Sequence, residues 1–165
     1  MPFSLPANFN PGDSYTNTHA NNVASAINTL VNGPAKAFVA TLESTAATTY
    51  TDLATTTDQV TVTIGQSGIA LVFLTVANGY TGVVNGDYYC SFAASGANTI
   101  AAGPPYEISG QTSTGSAGTT VTPLCGAFLV TGLAPGATTF KMKYKASGGA
   151  TATFAQRTIV VVPFP

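Results

Sequence analysis

The chain has 165 residues, enough for one domain with a sizeable core, and 45% of them are hydrophobic, which excludes a disordered tether. Only 7% are charged and the net charge is -1, so bulk electrostatics address neither nucleic acid nor an anionic membrane. Thr, Ser, Asn and small residues fill the polar positions instead, a surface suited to subunits packed into an assembly or exposed outside a cell.

Residues 1–12 set Phe3, Leu5 and Phe9 between Pro2, Pro6 and Pro11, which forbids regular helix but supplies apolar anchors. An extended arm lying against a neighbour is predicted. This opening has neither a basic n-region nor a continuous apolar h-region, so synthesis and assembly in the cytoplasm are expected. From Asp13 to Asn32 the period changes: Thr16, Ala20, Val23, Ile27 and Leu30 line one face of a predicted helix, closed by Gly33 and Pro34. That stripe suits either the chain's own sheet or a short coiled coil around a symmetry axis. Residues 1–33 are therefore read as an attachment and oligomerisation segment, and residues 34–165 as a β-domain.

After Pro34 short β segments alternate with turn residues. Strands are predicted at Ala37–Ser44, Tyr50–Leu53, Val60–Ile64, Ile69–Asn78, Tyr88–Ala94, Thr99–Ala101, Tyr106–Ser109, Thr120–Leu133, Thr138–Ala146 and Ala152–Val162. Ile69–Asn78 is apolar on both faces and too short for a membrane helix, which needs about 20 apolar residues. It is predicted as the central strand, with Val72, Leu74 and Val76 on an outer face covered by a second layer or another subunit. Thr138–Ala146 alternates cleanly, with Phe140, Met142 and Tyr144 facing inward and Lys141, Lys143 and Lys145 facing water. Leu133-Ala-Pro-Gly136 supplies a turn with Leu133 tucked inward, Gly148-Gly149 a hairpin, and residues 103–119 a loop. Pro163 and Pro165 end the last strand and discourage pairing at an edge. The predicted fold is all-β: an antiparallel β-sandwich, Ig-like or jelly-roll-like, preceded by the N-terminal arm and one short helix.

The chemistry-bearing residues are sparse. His19, the single histidine, lies in the predicted helix without a nucleophile elbow, and reads as solvated. The carboxylates Asp13, Glu43, Asp52, Asp58, Asp87 and Glu107 are scattered singly, with Asp52 and Asp58 read as turn or cap residues. Cys90 and Cys125 have no metal-ligand spacing; they read as buried small hydrophobes, with a cross-strand disulfide as the alternative. No catalytic residue, metal or cofactor is expected, and no phosphate-binding glycine loop is present. The lysine row reads as a solvated sheet face or a contact with an acidic neighbour. Tyr80, Tyr88 and Tyr106 near loops are candidate stacking residues for a glycan.

Several segments carry a family resemblance: Phe9-Asn-Pro-Gly-Asp13 with Ala26-Ile-Asn28, Thr48–Thr55, Val60–Gly65 with Ser67–Val72, Ser91–Ile100, and Leu129–Gly136 followed by Phe140–Lys145. Together they resemble small β-rich virion proteins of tailed bacteriophages of actinobacteria: minor tail, fibre-like, head fibre or head decoration proteins. The resemblance implies a structural virion component, assembled in the host cytoplasm and displayed at the particle surface. It would be oligomeric, with a homotrimer favoured, and would contact capsid or tail proteins without nucleic acid or membrane insertion. Phe3, Leu5, Phe9, Ala20, Val23, Ile27, Leu30, Val72, Leu74 and Val76 would form the attachment and subunit interfaces. The alternative role is adsorption to a host-surface glycan. The Leu133-Ala-Pro-Gly136 turn also resembles those of fibronectin type III and immunoglobulin-like modules.

Overall fold

The fold is that of a computed structural model, which describes residues 33–81, 86–111 and 122–165 together with Asn21. The predicted arm and helix, with Phe3, Leu5, Phe9, Ala20, Val23, Ile27, Leu30 and His19, lie outside the described residues. Nine strands follow: β1 (Ala35–Val39), β2 (Glu43–Thr45), β3 (Gln59–Ile64), β4 (Ala70–Thr81), β5 (Asp87–Gly96), β6 (Ile108–Gln111), β7 (Thr122–Val130), β8 (Gly136–Ala146) and β9 (Ala152–Pro163). They form two antiparallel sheets, one ordered β1-β9-β4-β7 with β2 pairing the far end of β9, the other ordered β3-β8-β5-β6.

The connections decide between the two predicted topologies. β3 to β4, β7 to β8 and β8 to β9 all cross from one sheet to the other, and only β5 and β6 are paired neighbours in sequence. That is the double-sheet connectivity of a jelly roll and not the hairpin-rich order of an immunoglobulin domain. Gly148-Gly149 accordingly forms a corner between sheets, closed by Ala150 N–H donating to Ser147 O at 3.1 Å, and not the predicted hairpin. The predicted segment Tyr50–Leu53 contributes a single bridge, Thr51 to Tyr144, and Thr99–Ala101 another, Ile100 to Ala94. β9 lies between β1 and β4, so its terminal prolines do not guard an edge.

The core fills the space between the sheets. From the four-stranded sheet come Val60, Val62, Ile64, Tyr88, Cys90, Phe92, Phe140, Met142 and Tyr144; from the five-stranded sheet come Val72, Leu74, Val76, Phe154, Ile159 and Val161. Every second residue of β8 is buried, as the alternation predicts, because its opposite face carries the three lysines. Val72, Leu74 and Val76 are fully buried inside this single chain. The predicted face assignment of β4 is therefore reversed: these three are core residues, and Leu71, Phe73 and Thr75 form the outer face.

β9 keeps its apolar residues inward only by breaking its own period. Gln156 has a left-handed φ of 50°, while the register against β4 is the same on either side of it, from Val76–Arg157 to Asn78–Ala155. The left-handed residue changes which alternate side chains face the core: Arg157, Ile159 and Val161 are buried after it, and Ala152 and Phe154 before it.

Candidate functional site

Two surfaces and one buried cluster hold the side chains with chemical potential. The first surface is the outer face of the five-stranded sheet. Its register puts Leu129, Leu71 and Val162 in one row, Ala127, Phe73, Val160 and Lys36 in the next, and Cys125, Thr75, Thr158 and Phe38 in a third. Phe38 is 56% exposed, Phe73 37% and Leu129 62%, and Lys36 is the one charged residue in these rows. Side chains that large, in adjacent rows, form a continuous apolar patch of the kind that marks an interaction surface. Cys90 is buried in the core as expected, whereas Cys125 is exposed within this face, and both are free thiols, so the alternative disulfide is not formed.

The second surface lies over the four-stranded sheet. Lys141, Lys143 and Lys145 project from β8 as predicted, and two segments fold across them. Thr51 exchanges backbone hydrogen bonds with Tyr144, each 2.9 Å, and Ala146 N–H donates to Ala47 O at 2.8 Å, laying residues 47–52 along one side. On the other side, Gly103 N–H donates to Ser91 Oγ at 3.2 Å, and that hydroxyl donates back to Gly103 O at 3.3 Å. Between these walls runs a cleft of about 520 Å³, floored by Ala93, Lys143 and Lys145.

The charges around the cleft are paired. Asp52 takes Lys141 at 2.9 Å and Lys143 at 2.7 Å, while Lys145 reaches Glu107 at 3.1 Å. Lys145 also sits over the rings of Tyr50 and Tyr89, 4.6 and 4.3 Å from their centroids. The Tyr50 hydroxyl donates to Glu107. Burial, then this bond and the Glu107 charge, push the Tyr50 phenol well above its ordinary pKa, so it remains a neutral donor. Burial alone would raise the Asp52 carboxyl, but hydrogen bonds and charge from Lys143 and Lys141 outweigh it and hold it low. Asp52 is thus the bridge between neighbouring lysines and not merely a turn residue.

The buried cluster surrounds Arg157, which is fully buried. Its Nη2 donates to Glu43 at 2.6 Å, its Nη1 lies 3.7 Å from Asp58, and its guanidinium lies 5.4 Å from the centroid of the Tyr144 ring. Tyr144 in turn donates to Asp58 at 2.6 Å, and Thr55 gives Glu43 two hydrogen bonds, from N–H and Oγ1. Asp58 is 2% exposed, so this pair of carboxylates is spent on holding a buried cation and offers nothing to a substrate.

The predicted stacking tyrosines are not brought together. Tyr88 is fully buried, edge-on to Phe154 at 6.3 Å, and Tyr106 packs on Phe92 at 4.7 Å and against Phe128 at 6.0 Å. Both are thus occupied in packing and neither is a platform. The Tyr80 side chain lies outside the described part of the structure, although its backbone pairs with Thr153. The cleft residues Thr48, Thr49 and Tyr50 were not singled out from sequence; the signal available was a Thr-rich segment adjoining Asp52, opposite the lysine row.

No protein-family model matches the chain, and no curated protein matches it. Among solved structures, the chain is similar to one described as "Structure of Eiger TNF from S. frugiperda". The TM-score is 0.51 and the identity 11%, over 80% of this chain and 92% of that one. At that identity the likeness concerns the fold alone: this chain shares the β-sandwich architecture of that structure.

Proposed function

We propose that the chain is a non-enzymatic structural subunit that assembles through the outer face of its five-stranded sheet and displays the opposite sheet to solvent. The particle this reading favours is the virion of a tailed bacteriophage, where the subunit would serve as a surface decoration or minor tail protein. Residues 1–33 would attach it to capsid or tail proteins, and three copies would pack around an axis. The observation carrying the proposal is the exposed row set around Phe38, Phe73 and Leu129, almost free of charge. Phe38, Phe73 and Leu129 are already partly covered, so burying the remainder of each is worth about 0.5 to 2 kcal/mol, which a monomer forgoes. The occupants are taken to be further copies because a patch this low in charge offers no electrostatic preference for a different partner, and around a three-fold axis it would meet another surface of the neighbouring copy.

Light scattering after size exclusion tests the assembly. The wild-type chain should run as an oligomer, and Phe73→Glu with Leu129→Glu should convert it to a monomer with an unchanged β circular-dichroism signature. A wild-type monomer at its highest soluble concentration removes the assembly reading. Immunogold labelling of purified phage tests the virion separately: particles free of label remove that part.

A further inference from the structure

We propose that the cleft over the four-stranded sheet binds a small polyhydroxylated carboxylic acid, such as a uronic-acid unit of a surface polysaccharide. This site is on the opposite sheet from the assembly face and does not rest on that reading. The cleft is built: its two walls are tied by backbone and hydroxyl hydrogen bonds to adjacent strands, Tyr144 and Ala146 of β8 on one side and Ser91 and Ala94 of β5 on the other. Its floor is kept open by the small side chain of Ala93, and about 520 Å³ lies within the range of small-ligand sites.

The polar groups fix the ligand class. Three ammonium groups, Lys141, Lys143 and Lys145, face two carboxylates, Asp52 and Glu107, which leaves one positive charge in excess. Lys145 is occupied by Glu107 and two aromatic rings, whereas Lys143 shares its single carboxylate with Lys141. An ammonium has three donors, so Lys143 can take a ligand carboxylate while keeping Asp52. Thr48 and Thr49 are exposed on the wall, where their hydroxyls can both donate to and accept from ring hydroxyls. Pro104 supplies an apolar edge for the less polar face of a sugar ring. Asp87 keeps its charge beside Tyr89 at the Lys145 end, and Asp58 faces Arg157 on the far side of the sheet, so the under-compensated charge is local to Lys141 and Lys143, which share Asp52.

Isothermal titration or amide chemical-shift mapping with D-glucuronate, D-glucose and acetate tests the assignment. Glucuronate should bind saturably, with shifts confined to the segments around Thr48–Tyr50 and Lys143–Lys145, and should weaken as salt is raised. Glucose and acetate should each bind about tenfold more weakly or worse, since each supplies only half of the recognised chemistry. Lys143→Ala should weaken glucuronate by about tenfold or more. Thr49→Val should weaken it several-fold with the salt dependence kept, and Lys36→Ala on the other sheet should leave it unchanged. Lys143→Ala and Thr49→Val should keep the wild-type oligomeric state, which separates failure here from failure of the assembly face. Absence of saturable glucuronate binding, acetate binding as tightly as glucuronate, preference for an acidic peptide, or equal loss in Lys36→Ala would each overturn the proposal.

Discussion

Arg157 is the residue on which the most chemistry converges. It is the one basic side chain described as fully buried, and it serves two carboxylates and an aromatic ring while Nε and Nη1 make no hydrogen bond among the described residues. An incompletely satisfied buried ion cluster adds little net stability, yet removing only the cation strands Asp58 in the core. Arg157→Ala should therefore cost about 3 to 5 kcal/mol in urea denaturation. Replacing the whole cluster, Arg157→Met with Glu43→Gln and Asp58→Asn, should recover most of that loss, because no uncompensated charge then remains. A loss under about 1 kcal/mol for Arg157→Ala would mean that the cluster is solvated or dispensable. The sequence obscures this role: an arginine between Gln156 and Thr158 looks like a residue facing water, although it is in phase with the buried Ile159 and Val161, and the left-handed Gln156 breaks that phase to bring Phe154 inward as well. Its one sequence signal is that it is the single charge in the otherwise uncharged strand Ala152–Pro163.

Among the elements, the turns that carry the chain between sheets are clasped to each other. Gly68, with φ +63°, ends the turn from β3 to β4; its carbonyl accepts from Leu133 N–H at 3.0 Å, and a Cβ added to it would meet Leu133 O at 2.6 Å. Gly132, with φ +74°, has the same left-handed backbone but open space around it. Gly132→Ala should therefore cost only the backbone strain, about 1 to 2 kcal/mol. Gly68→Ala should cost clearly more in thermal denaturation, because the clasp must also open; equal costs would show that the clasp carries no stability. The inward Leu133 was legible, since Pro135 and Gly136 dictate a turn and an apolar residue beside it has one place to go. So were β3 and β8, where one face is polar and the other apolar. The faces of β4 were not: both are apolar, so a period of two identifies the strand without its orientation, and Val72 went to the wrong side. Nor was the cleft, because the lysine row is local while Asp52 and Thr48–Tyr50 reach it from a segment remote in sequence.

At the scale of the whole molecule, the few carboxylates should set a shallow acid response with opposing parts. Burial alone would raise Glu43, but hydrogen bonds from Thr55 and from Arg157 outweigh it and hold its carboxyl below the ordinary 4.5. A group with a lowered folded pKa contributes stability above its unfolded value and loses it as pH falls through the folded one. Asp52 acts in the same direction, but its side chain is 37% exposed, so salt should screen much of its part. Asp58 acts in the opposite direction: burial raises its carboxyl above 3.8, outweighing the Tyr144 hydrogen bond and the Arg157 charge. Its contribution is present below its unfolded value and is lost as pH rises through the folded one. Between about pH 5 and about pH 3, wild-type stability should fall modestly. Glu43→Gln, weaker at neutral pH, should fall less over that interval, and Asp58→Asn should fall more. Chemical denaturation across this range reads the slopes directly. If both variants change the slope in the same sense, the two carboxylates do not pull against each other across Arg157, and the cluster responds to acid as a single unit.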